Sequence, residues 1–349
     1  MDGYRTAGAI KESSTGDFLT EMSNLCGKRV LVTGAGGFIG SHLTEGLVEL
    51  GAETRALVHY RSDNSWGCLE TSNLKGEIEV VLGDVRDGDS VRRTMQGVDI
   101  VFHLAALIGI PYSYHAPLSY VRTNVEGTLN VLQAAQDLGV ERVIHTSTSE
   151  VYGTASFVPI TEGHLLQGQS PYSASKIGAD KMAEAFHLSF NLPVVTVRPF
   201  NAFGPRQSAR AVIPTIIGQC LKGDIVSLGS LKPTRDLNFV SDTVDGFLKA
   251  ATADRAIGKT VNLGSGREIS IGDLARLIGT LMGKDIVVST DPARVRPEHS
   301  EVQRLLADNT LAREILHWEP KVSLEQGLER TIQWLEANVE RYRPDVYVT

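Results

Sequence analysis

Short apolar runs alternate with amphipathic stretches along residues 28–198. The apolar runs are rich in Val, Ile and Leu, as buried strands are, and the stretches between them have helical spacing. Strands are predicted at 29–33, 54–58, 78–82, 99–104, 142–147 and 194–198. Helices are predicted at 41–50, 118–138 and 172–190. The pattern therefore alternates strand and helix over most of the first two thirds of the chain.

The predicted strands are continuous apolar runs and not period-two alternations. Such runs are typical of parallel strands that are buried on both faces of a sheet. Strands that alternate with helices predict right-handed crossovers in a doubly wound α/β sheet. We therefore expect a Rossmann doubly wound parallel sheet with a smaller, interleaved C-terminal substrate domain.

The alternation breaks after Arg198, where prolines stand at 199, 205, 214 and 233 around a helical piece at 213–221. Residues 237–263 resemble a return to the sheet, and the rest of the chain contains two or three helices with short strands. We predict a polar extension at 1–27, either disordered or an ordered arm. The Rossmann domain is predicted at 28–204 plus 236–264, and the substrate domain at 205–235 plus 265–349.

Composition and charge exclude several classes of protein. The 349 residues are 42% hydrophobic and carry a formal net charge of −7, which excludes a disordered chain and disfavours nucleic acid and anionic membranes as partners. No apolar segment is long enough to span a membrane or to form a secretory signal. The three cysteines lack metal-ligand or disulfide spacing, so we expect no metal and a reducing, cytoplasmic location.

Glycines follow the first predicted strand at once. Gly34, Gly37 and Gly40 have G-x-x-G-x-x-G spacing, and a helix follows them. A strand, a glycine turn and a helix N-terminus together predict a cradle for a dinucleotide pyrophosphate, with Phe38 and Ile39 beside it. The alternative is that these glycines serve only the turn.

The end of the second predicted strand bears on the choice of cofactor. NAD sites usually place an acid there, whereas this chain has His59 and Arg61, which could meet a 2′-phosphate. The pattern favours NADP⁺ over NAD⁺, unless both side chains are only surface residues. Asp84, after the third strand, is predicted to reach the adenine region.

Tyr172 and Lys176 form a Y-x-x-x-K pattern on one face of a predicted helix. An ammonium beside a phenol is expected to lower the phenol pKa, so that Tyr172 can act as a base. Such a pair is otherwise a common feature of helix surfaces. Here the hydroxyls and carboxylate of Thr148, Ser149 and Glu150 end the fifth predicted strand, where α/β sheets place their ligands.

These segments together resemble the extended short-chain dehydrogenase/reductases. The resemblance rests on the glycine turn, HLAA at 103–106, Asn124, the Y-x-x-x-K pair and RPFNAFGPRQ at 198–207, and it covers about residues 28–340. TSTSEVYGTA, RQSARAVIP and RPEHSEVQRLLADN are most similar to the 4,6-dehydratases of legionaminic acid biosynthesis. Those enzymes act on UDP- or GDP-linked N-acetylglucosamine.

The resemblance implies a nucleotide-sugar 4,6-dehydratase with a tightly bound NAD⁺ or NADP⁺. Catalytic residues are then Thr148, Ser149, Glu150, Tyr172 and Lys176. Cofactor contacts are Gly34, Gly37, Phe38, Ile39, Gly40, His59, Arg61, Asp84, Val85, Leu104, Ala105, Ala106, Asn124, Tyr172 and Lys176. Substrate contacts are Ile108, Asn201, Arg206, Arg235 and Arg296, and Arg206 and Arg210 are the weaker candidates because either could be a surface residue.

The resemblance also implies a mechanism. Tyr172 takes the proton of the sugar O4 while C4 loses a hydride, Glu150 removes the C5 proton, and water leaves from C6 with a proton from Glu150 or through Ser149. The hydride then returns to C6. A 4-epimerase of the same fold and a non-catalytic dinucleotide sensor are the alternatives. The helices around 118–138 and 172–190 resemble the family's dimer-forming pair, so a homodimer is expected.

Overall fold

Seven parallel strands form the main sheet of the computed structural model, which describes residues 23–342. Their spatial order is β10-β6-β5-β4-β1-β2-β3, so the order reverses between β1 and β4. The strands are β1 Arg29–Thr33, β2 Glu53–Val58, β3 Glu79–Leu82, β4 Ile100–His103, β5 Arg142–Thr146, β6 Val194–Pro199 and β10 Thr260–Leu263. In such sheets ligands bind beyond the carboxyl ends of the strands at the point of reversal.

Side chains of the central strands are buried on both faces of this sheet. In β1, Val30 and Val32 belong to one hydrophobic core, whereas Leu31 between them belongs to a second core on the other face. This is why the strand reads as an uninterrupted apolar run. The predicted Rossmann doubly wound fold is confirmed.

Helices cover both faces of the sheet. The helices are α1 Phe38–Glu49, α2 Gly88–Thr94, α3 Ile110–His115, α4 Pro117–Tyr120, α5 Gly127–Leu138, α6 Pro171–Phe190, α7 Val212–Lys222, α8 Val240–Thr252, α9 Ile271–Leu281, α10 Thr310–Leu316 and α11 Leu324–Ala337. Leu47 of α1 and Val244 of α8 share a core with Val30, whereas Val131 of α5 and Phe186 of α6 share the other with Leu31.

The helix predicted at 118–138 is divided into three pieces. Between α4 and α5 the residues Val121–Glu126 form a π-helical turn, which the apolar spacing did not predict. Such turns are frequent at functional sites because they shift side chains out of helical register. Asn124 lies in this turn and is buried.

Two small sheets lie outside the main one. One has the order β11 Glu268–Ser270, β9 Thr234–Phe239 and β7 Asn201–Phe203, and the other pairs β12 Val287–Thr290 with β8 Ile225–Leu228. The prediction that Asn238 and Phe239 return to the main sheet is wrong, since they belong to β9, which pairs with β7 and β11. A segment as short as residues 238–240 is compatible with either sheet. The predicted return at 261–263 is confirmed as β10.

The two chain ends extend beyond the described residues. The predicted polar extension lies outside them at 1–22, as do residues 343–349. Its last part is ordered, since Leu25 is fully buried in the core and the amide of Gly27 donates to the carbonyl of Gly51 at 2.9 Å. Within residues 23–342 no helix is long and apolar enough to cross a membrane. The same residues contain no group of three or more His, Cys, Asp or Glu side chains that could hold a metal ion.

Candidate active site

The glycine turn after β1 is built for a close backbone approach. Gly34 has φ +72°, and a Cβ there would lie 2.8 Å from the amide nitrogen of Ala105. A Cβ on Gly40 would strike the carbonyl of Gly34. Helix α1 starts after Gly37, which provides no side-chain cap. The first amides of α1, at Phe38 and Ile39, therefore face the turn with their donors available to an anion.

A segment that the sequence analysis missed packs on this cradle. The amide of Cys68 donates to the carbonyl of Gly36 at 2.8 Å. A Cβ on Gly36 would lie 2.7 Å from the carbonyl oxygen of Trp66, and Gly67 has φ +68°. Two glycines in contact cannot be recognised from sequence when about thirty residues separate them.

Charged side chains after β2 and β3 pair with one another. Arg61 donates to Asp63 at 3.0 Å, and His59 lies 3.7 Å from the carboxylate of Asp84. Arg86 hydrogen-bonds to Asp84 and thereby lowers the pKa of that carboxyl. His59 and Arg61 are both exposed. Their neighbourhood is thus of mixed charge and not purely cationic.

The carboxyl end of β4 is held to that of β1 by one hydroxyl. The amides of Leu104 and Ala105 both donate to Oγ1 of Thr33 at 3.1 Å. These two strands flank the point of reversal, so the segment from Leu104 through Ala106 faces the glycine turn. Thr33 was missed by the sequence analysis, because a Thr at the end of an apolar strand has no distinctive pattern.

Asn124 fastens the loop after β4 to helix α6. Its Oδ1 accepts the amide of Leu107 at 2.8 Å, and its Nδ2 donates to the carbonyl of Leu107 and to Oγ of Ser175, each at 2.9 Å. Val85 is also buried, packed against Gly127 of α5. Asn124 therefore positions backbone and helix around the predicted nicotinamide end.

Helix α6 presents Tyr172 and Lys176 to the end of β5. Ser170 and Ser173 form a capping box at its start, which places Tyr172 in the first turn. The Thr148 hydroxyl lies within hydrogen-bonding reach of the phenol. Lys176 donates to the carbonyl of Thr146 at 2.6 Å. The five predicted catalytic residues thus come together where β5 ends.

Burial dominates the ionisation of this pair. It raises the pKa of the Tyr172 phenol well above its ordinary value, although Thr148 opposes the rise. It lowers the pKa of Lys176 to about 8. The expected lowering of the Tyr172 pKa is not found in the chain alone, because burial raises it and the neighbouring Glu150 charge adds to the rise. Nothing in a Y-x-x-x-K pattern reveals how deeply the phenol is buried.

A cavity of about 350 Å³ reaches the predicted catalytic residues at Glu150. Glu150 lines it, whereas the neighbouring Ser149 is buried. The predicted contacts Ile108 and Asn201 line the same cavity. Nδ2 of Asn201 is buried and has no hydrogen-bond partner within residues 23–342. A carboxylate and an unsatisfied amide donor are thus both available to a polar ligand.

Two of the arginines that line the cavity meet one glutamate. Arg235 donates to Glu301 at 3.0 Å, and Arg296 lies 3.5 Å from the same carboxylate oxygen. All three side chains line the cavity. Glu301 was missed by the sequence analysis, although it lies within the RPEHSEV segment that was singled out. The two predicted arginines converge as expected, and an acid lies between them.

The position of Arg206 does not support its predicted contact with the substrate. Both its terminal nitrogens donate to the carboxylate of Glu45, at 2.7 and 2.9 Å, beside α1. Arg206 does not line the cavity, but Arg210 does. A Cβ on Gly109 would lie 3.2 Å from the guanidinium of Arg210. Of the two weaker arginine candidates, Arg210 is therefore the one at the cavity.

Comparison with known proteins agrees with this geometry. The family model for GDP-mannose 4,6-dehydratase matches residues 31–331, which includes the cradle, the Tyr172 helix and both cavity arginines. The chain belongs to this family of extended short-chain dehydrogenase/reductases. Its members modify nucleotide sugars, and the resemblance inferred from the sequence is confirmed at that level.

Relatives within this family differ in reaction. A UDP-N-acetyl-alpha-D-glucosaminuronate decarboxylase of Bacillus cytotoxicus is 34% identical over 88% of this chain and 97% of its own. An epimerase of Methanothermobacter thermautotrophicus has a TM-score of 0.84 at 34% identity, covering 93% and 96%. The dTDP-glucose 4,6-dehydratase DesIV of Streptomyces venezuelae, solved with NAD bound, has a TM-score of 0.81 at 30% identity, covering 90% and 99%. Family membership alone therefore does not select the reaction.

Proposed function

We propose that the protein is a nucleotide-sugar 4,6-dehydratase that acts on UDP- or GDP-linked N-acetylglucosamine. The observation that carries the proposal is Glu150, a carboxylate that lines the cavity beside Thr148 and Tyr172. Oxidation and reduction at C4 need only a hydroxyl base. An added carboxylate at the reacting end supports a step that moves a proton on carbon.

The chain's own groups account for the proton transfers. Tyr172 accepts the O4 proton, and Thr148 steadies the phenol oxygen. Glu150 removes the proton from C5, which the C4 ketone makes acidic. Water then leaves from C6 with a proton returned by Glu150. When the hydride is delivered to C6, C5 takes up one proton, which balances the proton that Tyr172 accepted from O4 and releases through solvent. Because Ser149 is buried, Glu150 is the better donor for this step.

The cradle fits a dinucleotide. Glycines hold the turn where any Cβ would collide, and the uncapped N-terminus of α1 supplies donors for a pyrophosphate. A nicotinamide cofactor, when bound, supplies the hydride acceptor at C4 and the donor to C6. We assign the pyrophosphate to Gly34, Gly37 and Gly40, and the nicotinamide end to the Tyr172–Lys176 pair.

The choice between NAD⁺ and NADP⁺ depends on His59 and Arg61. No acid follows β2 before residue 63, which favours NADP⁺, whereas the pairing of Arg61 with Asp63 favours neither. Isothermal titration of both cofactors against the wild type and Arg61→Ala decides the point. If Arg61→Ala binds NADP⁺ more weakly than the wild type does but binds NAD⁺ equally well, the 2′-phosphate contact is supported. If the variant and the wild type bind NADP⁺ with equal affinity, the contact is contradicted.

The arginine end of the cavity is assigned to the diphosphate. Guanidinium forks suit phosphate oxygens, and Arg235 and Arg296 converge on one point there. We place the sugar against Asn201 and Ile108, which line the same cavity. This orientation carries the reacting carbons to Tyr172 and Glu150.

Product mass tests the proposal. The protein is incubated with UDP- and GDP-linked N-acetylglucosamine and, separately, with a UDP-linked uronic acid, and the products are followed by mass spectrometry. Loss of one water supports the dehydratase. An unchanged mass with a new stereoisomer indicates the epimerase, and loss of carbon dioxide from a uronic acid substrate indicates a decarboxylase. Bound cofactor without turnover of any substrate indicates the dinucleotide sensor.

A homodimer through α5 and α6 is part of this proposal. Large apolar side chains are exposed on these helices and on the turn before them, at Val121, Leu129, Leu188 and Phe190. Such positions on neighbouring helices suit a four-helix contact between two copies. Light scattering of the wild type and of Leu129→Glu tests it, and a wild-type mass equal to one chain contradicts it.

A further inference from the structure

A second acid lies one helical turn beyond Lys176 on α6. Asp180 and Lys176 stand four residues apart, so their side chains share one face of the helix. Both are almost completely buried, with 5% and 4% of their surfaces exposed. Asp180 is absent from the catalytic pattern and does not line the cavity that Glu150 lines.

Three donors fix the Asp180 carboxylate. His145 reaches it at 3.0 Å, Ser147 donates at 2.7 Å, and Arg198 donates at 2.9 Å. These donors come from β5, the residue after it, and β6. A carboxylate satisfied on all sides has a defined position, and it carries a full negative charge because its hydrogen bonds and neighbouring cations outweigh burial and lower its pKa to about 2.

The other charged and titratable groups around Lys176 differ from Asp180 in their charge or in the side from which they approach. From β4 and β5 come His103 and His145, whose pKa values burial lowers, so both are neutral near pH 7. Arg198 comes from β6 and is the second cation on Asp180. On the cavity side, Glu150 faces Tyr172. Asp180 is thus the anion on the inner side of Lys176.

We propose that Asp180 is a positioning residue, whose fixed and buried carboxylate acts through space, without a direct ion pair, to keep the Lys176 ammonium charged at the site of Tyr172. The hydrogen bond from Lys176 to the Thr146 carbonyl fixes the direction of the amine but adds no charge. The Asp180 carboxylate supplies the charge that a buried ammonium requires. The proposed function enters only through the role of Lys176 in catalysis.

Burial and Asp180 act on Lys176 with opposite signs. Burial lowers the pKa of Lys176, and the Asp180 charge raises it. Without that charge the ammonium loses its proton at a lower pH. Asp180→Asn should therefore lower the pKa of Lys176 by about one unit or more, a change of about tenfold in its proton affinity.

The Lys176 amine can be titrated directly. Protein labelled with ¹³C at lysine Cε is followed by NMR between pH 6 and 11, and the Lys176 signal is assigned by its loss in Lys176→Met. Asp180→Asn should lower the midpoint, and Asp180→Glu, which keeps the charge, should restore it. Ser147→Ala is the matched control, because it removes a hydrogen bond to Asp180 without removing a charge.

Arg198→Gln provides a test of opposite sign. It removes the second cation on Asp180, so the midpoint of Lys176 should rise. An unchanged midpoint in a folded Asp180→Asn protein overturns the proposal. If that variant does not fold, an unchanged or lowered midpoint in Arg198→Gln overturns it instead.

Turnover gives a second reading of the same variants. If the wild type dehydrates the nucleotide sugar, the alkaline limb of its kcat profile should move to lower pH in Asp180→Asn and return in Asp180→Glu. A fall in kcat at every pH with an unmoved limb indicates a merely structural role and overturns the positioning role. If the wild type does not turn over, the proposed function fails, while the NMR titration still tests Asp180.

Discussion

Single side chains decide what the cavity can do, and their burial matters as much as their identity. Tyr172, Lys176 and Glu150 lie at one point, but solvent is excluded from the first two and not from the third. A phenol whose pKa burial raises depends on nearby charge to release its proton. The reactivity of the site is therefore set by which charges surround the phenol.

Glu150→Gln separates dehydration from oxidation. The amide cannot remove the C5 proton, so loss of water should slow by about 10²- to 10⁴-fold, while C4 oxidation continues. In a single-turnover experiment the reduced nicotinamide, followed by its absorbance, should then accumulate while no dehydrated product forms. Glu184→Gln, on the exposed face of α6, is the control and should keep wild-type turnover. Intact dehydration in Glu150→Gln contradicts the proposed role.

Lys176→Met should change the pH dependence of stability. Folding lowers the pKa of Lys176 from 10.5 to about 8, so its charge opposes folding fully below pH 8. Above pH 8 the folded protein releases this proton more readily than the unfolded chain, and wild-type stability rises relative to the variant. The variant's advantage in free energy of unfolding should thus shrink between pH 8 and 10.5. Denaturant titrations at three pH values measure it, and a constant difference contradicts the buried charge.

Helices and strands meet at two places, the glycine cradle after β1 and the π-helical turn before α5. These two places join the predicted cofactor site to the predicted catalytic site. The turn at Val121–Glu126 moves Asn124 into reach of both the loop after β4 and helix α6. A regular helix would carry that amide elsewhere on the surface of the helix. The catalytic helix and the cofactor loop are therefore held together by one side chain.

Asn124→Ala should loosen this connection. The substitution leaves the Leu107 amide and carbonyl without their buried partners, which costs about 1–3 kcal/mol of stability. The midpoint of urea unfolding should fall accordingly. Arg122→Ala, an exposed substitution in the same turn, should change stability by less than about 0.5 kcal/mol. Equal midpoints of urea unfolding for the two variants would contradict this stabilising role of Asn124.

Much of the fold could be predicted from sequence, because a strand buried on two faces must be apolar throughout. The six predicted strands of the first 200 residues all occur, within two residues of their expected bounds. The assignment of Asn238 and Phe239 failed because a short apolar run does not specify which sheet it joins. Glu301 and the Trp66–Cys68 contact depend on distant segments meeting, and no local pattern reports that.

At the level of the whole molecule, side-chain pairs link the part of the chain after β6 to the Rossmann sheet. Arg206 and Glu45 form such a pair, with 15% and 17% of their side chains exposed. Burial opposes ionisation of Glu45, but hydrogen bonds from Arg206 and Ser72 give it a lowered pKa. The Arg206–Glu45 pair therefore stabilises the folded protein at pH values above the ordinary pKa of a glutamate, and this contribution is lost as the pH falls through the lowered pKa.

Arg206→Ala should lower stability and leave substrate affinity intact. Loss of charge-assisted hydrogen bonds to Glu45 costs about 2 kcal/mol, measured as a fall in the free energy of unfolding. Arg210→Ala is the matched comparison, because Arg210 lines the cavity and should raise KM with little change in stability. A raised KM in Arg206→Ala would return Arg206 to the substrate site.

The position of β10 in the chain has a consequence for synthesis. Strand β10 ends at Leu263 and covers one side of β6, which ends at Pro199. A growing polypeptide therefore displays an unpaired β6 edge until about sixty further residues have left the ribosome. Such edges recruit other chains. Fragments that stop before Thr260 should aggregate in the cell, and translation that pauses between the two strands should lower the yield of native protein.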